Sequence, residues 1–559
     1  MNLPNPALVS QRAVQRLPRW ALFLLCTAYV LPGVFGRDPW RNADVTAFGL
    51  MFGMADGRAS WWNPAIGGVA ATTAPLPHWL GAGFIRLLEP WLDPALAARL
   101  PFAALLATVL LLTWLASYHL ARSEAAQPVP FAFGGEAVPA DYARAIADGA
   151  LLALIASLGL LQLGHETTPE LAQLACVSLL IYALAASPIQ GLRARVAVMI
   201  ALPALAASGA PSIAVALGLT GALVCARSTY SKVRKFFPWV LLATALAMII
   251  SSLMGLWTWQ LTAIRKPEQI LAIARQWVWF MWPAWPMVLW TLWQWRRQML
   301  HRHIAVPLSC AAITSVASLL CGGVDRVLML ALPALALLAA FALPTFKRST
   351  AAAIDWFSVF FFTVCAIVIW VIYVALQTGM PAPTARNVIK LAPGFASDFS
   401  ASSLALAAAG SLAWLWLVRW RTGRNQHALW KSLVLPASGV ALCWLLLMTL
   451  MLPLVDYARS FRPLVSRIAK HVPLNECIAT PKVPRSLQAS LEYFGPFKID
   501  GAVDESQSSC KYLIQIEPRR EKRASPAGWV RVARESLPTD RTDWTVIYRR
   551  DAAVVKPKR

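Results

Sequence analysis

Apolar runs of about twenty residues recur along this chain, and no other feature constrains its fold so tightly. Each run is long enough for a helix to cross the roughly 30 Å hydrocarbon core of a bilayer. A helix is also the one single-segment structure that satisfies its own backbone N–H and C=O groups there. Thirteen stretches are candidates: about 20–36, 98–121, 144–163, 169–186, 196–208, 212–226, 236–257, 276–294, 304–321, 327–345, 354–376, 401–418 and 432–455. Of these, 196–208 and 212–226 are short and split by Ser208 to Pro211, and read either as a pair of short helices or as a broken re-entrant hairpin. Charged residues make up 14% of the 559, against about 25% in a soluble domain. The expected fold class is an α-helical polytopic membrane protein. Arg12, Arg16 and Arg19 precede the first run as they would in a signal peptide, but no small-residue cleavage site follows. The reading is an uncleaved first helix.

The basic excess, 51 Lys and Arg against 27 Asp and Glu, is compatible with nucleic-acid binding until the charges are placed. With the N-terminus cytoplasmic, the loops returning to that side hold Arg193 and Arg195, then Arg227 to Lys235, Arg296 to Arg302, Lys347 and Arg348, and Arg419 to Lys431. The opposite short loops hold far fewer: Arg265, Lys266, Arg275, Arg326, Arg386 and Lys390. That alternation is the positive-inside rule, and it explains the balance with no nucleic-acid partner. It also forbids 76–91 from spanning, since every later loop would invert. That stretch carries Arg86 and Glu89 and is expected to lie as an interfacial helix on the outer leaflet. Residues 37–97 then face outward, the odd span count places the C-terminal region outside, and 122–143 forms an ordered cytoplasmic insertion.

After residue 455 the composition turns polar. Short β-like runs at Cys477–Ala479, 512–516, 529–533 and 544–548, with a helical run at 486–494, describe a small soluble α/β domain over 456–559. The membrane domain is then 1–455. Seven of the nine Cys lie in or beside apolar runs as small hydrophobes. Cys477 and Cys510 are free to form a disulfide if their region is periplasmic.

Outward polar groups are few. The segment from Gly36 to Asp56 carries Asp38, Arg41, Asn42 and Asp44. Asp38 before Pro39 is a turn signal, and Asp44 suits the N-cap of a helix running to about Asp56. Local chemistry favours turn and cap, and a carboxylate so fixed can also serve chemistry. A second loop holds His165, Glu166 and Glu170; Glu170 fits the first turn of the next helix, while His165 and Glu166 form at most an incomplete metal pair. Arg326 follows Gly322 and Gly323 at a helix start, where a cation opposes the dipole and points to an anion or a lipid headgroup. His78 reads as an interfacial side chain. The Trp-rich stretch from Trp277 to Trp295 fits an aromatic belt with a kink at Pro283 and Pro286.

In order and spacing these pieces resemble the polyprenyl-phosphate-dependent membrane glycosyltransferases of the GT-C superfamily, above all the lipid A aminoarabinose transferases and their protein O-mannosyltransferase relatives. The matching pieces are Asp44 twenty residues before Pro64, the segment from Trp61 to Pro64, the Pro-rich entry from Pro75 to Leu80, Glu170 six residues after Gly164, Arg326 seven before Pro333, and the segment from Asp456 to Pro463. The resemblance implies that Asp44 is the catalytic acid position, with Glu170 supporting it and Arg326 at the donor phosphate. Asp38, Arg41, His78, His165 and Glu166 are then candidate substrate contacts. It implies a polyprenyl-phosphate-linked sugar donor and a lipid, glycan or protein acceptor among membrane lipids in a bacterial inner membrane. No cofactor is specified, and a divalent metal is left open. Val45 stands where the family has Glu, Thr72-Thr73 replaces a Glu-Lys, and Ser208-Gly209 replaces a Lys-Gly. Two readings from other classes stay open: a transporter or flippase for a lipid-linked sugar, and a non-catalytic envelope scaffold.

Overall fold

The structure is a computed structural model describing residues 6–71, 74–258, 261–262, 266–422, 428–521 and 524–551, without the side chains at 348 and 422. Among the described residues, eight helices are long and apolar enough to cross a membrane: Pro94–Ala121, Pro169–Ala186, Ser231–Leu253, Arg302–Leu320, Asp325–Thr345, Ser349–Thr378, Ala401–Arg421 and Lys431–Thr449. The chain is a helical multi-pass membrane protein. The other expected spans coincide with shorter or interrupted helices. Arg19–Val30 has 12 residues, about 18 Å at 1.5 Å per residue. Pro139–Ala156 stops where Ser157 turns extended, and Leu158–Leu163 follows. Gly191–Ala207 and Pro211–Ala226 form a pair of helices. Gly209 at φ 95° makes the break between them, and Pro211, lacking an N–H, opens the second helix. The Trp-rich stretch breaks between Pro267–Phe280 and Ala284–Gln294, at Pro283.

The chain folds as two units. The first comprises Met1–Pro32, Phe102–Val368 and Ser402–Thr449. Its centre is Leu332–Ala340, buried along its whole length because the sequence is apolar on every face. It packs against Pro139–Ala156, Ala284–Gln294 and Arg302–Leu320. Small residues permit the close approach: a Cβ on Gly149 would lie 2.4 Å from Leu343 Cδ1. The N-terminal segment runs along the 122–143 insertion, with Val129 and Ala137 N–H donating to the carbonyls of Ala7 and Val9.

The second unit comprises Gly33–Pro101, Ile369–Ala401 and Leu450–Arg559. Its first segment holds the helix Ala43–Ala55, a hairpin of β1 (Ala65–Ile66) and β2 (Val69–Ala70), and the helix Leu76–Leu88. Its last segment forms a five-stranded sheet of β3 (Cys477–Ala479), β4 (Lys498–Asp500), β5 (Tyr512–Pro518), β6 (Trp529–Glu535) and β7 (Asp543–Arg550), in the order β4-β3-β5-β7-β6. β3 runs parallel to β4 and β5, and β7 is antiparallel to β5 and β6. The helix Arg485–Phe494 covers a core of Leu487, Leu491, Ile478, Ile514 and Ile547. Cys477 and Cys510 are disulfide-bonded, with Cα atoms 5.0 Å apart. β4 has no counterpart among the β-like runs read from the sequence.

The two ends of this unit are fastened together. The helix Ala43–Ala55 lies on Arg485–Phe494 where Gly49 meets Ala489; a Cβ there would come within 2.4 Å of the Ala489 Cβ. Phe48 and Phe52 pack edge-on against Tyr493. The β1–β2 turn is pinned by Gly67 N–H donating to Glu492 Oε1 at 3.0 Å and by Gly501 N–H donating to the Gly67 carbonyl at 2.8 Å. Burial raises the Glu492 carboxyl above its ordinary value.

Candidate functional site

Asp44 is the second residue of the helix Ala43–Ala55, not its N-cap. That place belongs to Asn42, at φ 75° and ψ −123°, and Asn is among the few residues that accept a positive φ. The carboxylate therefore turns back onto the preceding loop. Asp44 Oδ2 accepts the Trp40 backbone N–H at 3.0 Å and Arg37 Nη2 at 3.3 Å. Both side chains of the ion pair are buried, 1% exposed for Asp44 and 0% for Arg37. A charge so far from water survives only when paired and hydrogen-bonded.

Trp40 ties this loop to the end of the chain. Arg37 and Arg459 cover its ring, with guanidinium carbons 4.6 and 5.0 Å from the centroid. Its indole N–H donates to Asp456 Oδ1 at 2.7 Å, and the Asp38 backbone N–H donates to Asp456 Oδ2 at 3.1 Å. Burial, with the Asp38 charge adding to it against the Trp40 hydrogen bond, pushes the Asp456 carboxyl up to about 6. Asp38, expected as a turn signal, is instead gripped by Arg462 Nε at 2.8 Å and Nη2 at 2.6 Å. Arg41 is half-buried, and its N–H donates to the Arg459 carbonyl at 2.8 Å.

His78 lies inside this unit rather than at a lipid-facing surface. It is 1% exposed on Leu76–Leu88, and burial lowers it to about 4, so it is neutral near pH 7. Its helix meets Ala43–Ala55 at Gly81, where a Cβ would lie 2.2 Å from Met51 Sδ. Thr72 and Thr73 lie outside the described residues.

The remaining candidates meet in the first unit. Arg326, in the short helix Asp325–Met329, donates through Nη2 to Glu166 Oε2 at 2.5 Å and through Nη1 to Thr168 Oγ1 at 3.3 Å. Gln162 Nε2 donates to the other Glu166 oxygen at 2.8 Å. Glu170 starts the helix Pro169–Ala186 and acts on Arg326 through space; its Oε2 is buried with no hydrogen bond among the described residues. The His165 ring nitrogens face two carbonyl oxygens, Leu161 O at 2.6 Å from Nδ1 and Tyr29 O at 2.8 Å from Nε2. A neutral imidazole has one N–H and donates to only one of them.

The fold thus groups Asp38, Arg41 and Asp44 in one cluster and His165, Glu166, Glu170 and Arg326 in another. Glu166 contacts Arg326, and the His165 ring faces backbone carbonyls. Among the described residues no three His, Cys, Asp or Glu side chains converge as metal ligands. Sequence reasoning missed Arg37 and Trp40 as partners of Asp44, and Asp456 as the partner of Trp40. Arg37 and Trp40 lie seven and four residues before Asp44, a spacing that could have flagged them. Asp456 opens the segment to Pro463 that the resemblance singled out, but nothing in its position pointed to Trp40.

No protein-family model matches the chain, and no curated protein matches it in sequence. Its fold matches ArnT from Cupriavidus metallidurans. Against the crystal structure bound to undecaprenyl phosphate, the TM-score is 0.61 at 13% identity, covering 97% of this chain and 99% of that one. Against the apo crystal structure the TM-score is 0.58 at 13% identity, covering 96% and 98%. The likeness is one of fold, and it runs nearly end to end.

Proposed function

We propose that this chain is an integral membrane glycosyltransferase of the GT-C type. It moves a sugar from a polyprenyl-phosphate carrier to an acceptor at the periplasmic face of a bacterial inner membrane. The observation that carries the reading is the end-to-end likeness to an ArnT crystallised with undecaprenyl phosphate. The acceptor is lipid A, another envelope glycan or lipid, or a protein. The N-terminus is cytoplasmic, and residues 456–559 are periplasmic.

In this mechanism Asp44 is the general base. Its carboxylate takes the proton of the acceptor hydroxyl as that oxygen bonds to the anomeric carbon. The bond from that carbon to the carrier phosphate breaks in the same displacement, inverting the centre, and the phosphate leaves as an anion. Arg326 holds that anion, stabilising charge that grows in the transition state. Asp44 arrives preset: the Trp40 N–H and Arg37 fix one oxygen, so little reorganisation is needed at the moment of transfer. Glu170 supports the acceptor, and Asp38, Arg41, His78, His165 and Glu166 shape the surroundings through the contacts described.

The test uses full-length protein in vesicles given a panel of radiolabelled undecaprenyl-phosphate-linked sugars, with lipid A and periplasmic polypeptide as acceptors. Transfer leaves label on an acceptor and frees undecaprenyl phosphate. A flippase would move the intact donor across the bilayer, and a scaffold would leave it unchanged; either result overturns the reading.

A further inference from the structure

The Arg326 cluster is charged the wrong way for a simple anion site. Three carboxylates act on this one guanidinium: Glu166, Glu170 and Asp325. Glu166 makes the closest contact, at 2.5 Å, and its side chain is 3% exposed against 19% for Arg326. It is also well held. Gln162 takes its second oxygen at 2.8 Å, and Thr168 steadies the guanidinium from Nη1. A lipid phosphate approaching Arg326 meets a cation already neutralised by a built-in competitor. Because that competitor is tethered, its effective concentration is high, and a phosphate placed beside it suffers like-charge repulsion.

We propose that Glu166 is a carboxylate gate on the Arg326 site: it occupies the guanidinium when no lipid phosphate is present and must yield when one binds. The inference rests on Arg326 being the phosphate ligand. Its consequence is weak, exchangeable binding of a polyprenyl phosphate. That suits a site whose product carries the same phosphate as its substrate and must leave before the next turnover. Glu166 is in this account a positioning residue that tunes affinity and takes no proton from substrate.

The test titrates undecaprenyl phosphate onto detergent-solubilised full-length protein. Glu166→Gln keeps the shape and removes the charge, and is expected to tighten binding by about tenfold, or about 1.4 kcal/mol. Arg326→Gln is expected to weaken binding by about tenfold or more, and Glu166→Gln added to it should gain less than it does alone, since only the like-charge repulsion is left to relieve. If Glu166→Gln binds no tighter while Arg326→Gln still weakens binding, the gate is wrong and the phosphate role stands. If Arg326→Gln binds as the parent does, the phosphate role fails and takes the gate with it. Should Glu166→Gln not fold, Gln162→Leu loosens the same carboxylate. It is expected to tighten binding by a smaller factor, and unchanged affinity there overturns the gate.

Discussion

Asp44 and Arg326 are each the charged centre of a small polar cluster, and each is served by groups of the opposite kind. Asp44 is an acid among donors: Arg37 and the Trp40 N–H on one oxygen, with Trp40 held in turn by Asp456 and two arginines. Arg326 is a base among acceptors, with Glu166 and Thr168 in contact and Glu170 and Asp325 close by. The Asp44 side chain is 1% exposed and the Arg326 side chain 19%. The first arrangement is a carboxylate paired and enclosed, the second a more exposed cation held by a less exposed carboxylate. In the proposed mechanism the first would serve as a fixed base and the second as an exchangeable phosphate ligand.

The sharpest way to break this contrast is to unlock Asp44. Arg37→Met leaves a buried carboxylate with its main counter-charge gone and is expected to cost about 3–5 kcal/mol of stability. A detergent thermal melt reads it, and an unchanged midpoint would show that Asp44 does not depend on the pair. On the other side, Arg326→Gln is expected to lower transfer by about 10²–10³-fold, or roughly 3–4 kcal/mol, measured as labelled acceptor formed per minute in vesicles. Full turnover would strip Arg326 of its role.

A subtler lever is Asp456. Its carboxyl is raised to about 6 by burial, above the ordinary 3.8 of an unfolded chain. The stability this group lends is therefore fully present below about pH 4 and lost as pH rises through about 6. His78 has the opposite sign: lowered to about 4 by burial, it lends stability above about pH 6.5 that is lost as pH falls. Over pH 4–6 the two partly cancel. Asp456→Asn removes one arm, so its melting temperature should climb more steeply with pH than the parent's, by roughly 1–2 kcal/mol across that window. Identical slopes would contradict the assignment. Smallest of all, Thr168→Val removes one 3.3 Å bond to Arg326 and is expected to cost about 1 kcal/mol by thermal melt.

The two clusters also differ in how far the sequence betrayed them. Asp44 stood out because its loop is short, acidic and spaced from Pro64, and Arg37 and Trp40 lie within seven residues of it. Asp456 binds the same loop from more than four hundred residues away, and Arg462 reaches Asp38 over a similar distance. Only folding brings such pairs together, so no local pattern announced them. Arg326 was legible as an odd cation at a helix start, but its partner Glu166, 160 residues earlier, was not. Of the helices, the apolar runs located every one that is long enough to span. The break at Pro283 was marked by its proline, but the one at Ser157 was not, because an apolar run measures hydrophobic length and says nothing of whether the backbone stays helical. The small-residue contacts at Gly49, Gly81 and Gly149 were equally silent until their partners were in place.

The account stands most directly on what Asp44 does. Asp44→Asn preserves size and hydrogen-bonding shape while removing the base, and general-base loss is expected to reduce transfer about 10²–10⁴-fold. The measurement is transfer of label from undecaprenyl-phosphate-linked sugars by parent and variant protein, matched for amount inserted and for melting temperature. The account predicts a variant that still binds undecaprenyl phosphate but forms almost no labelled acceptor. A variant that inserts normally and transfers at the parental rate would contradict it.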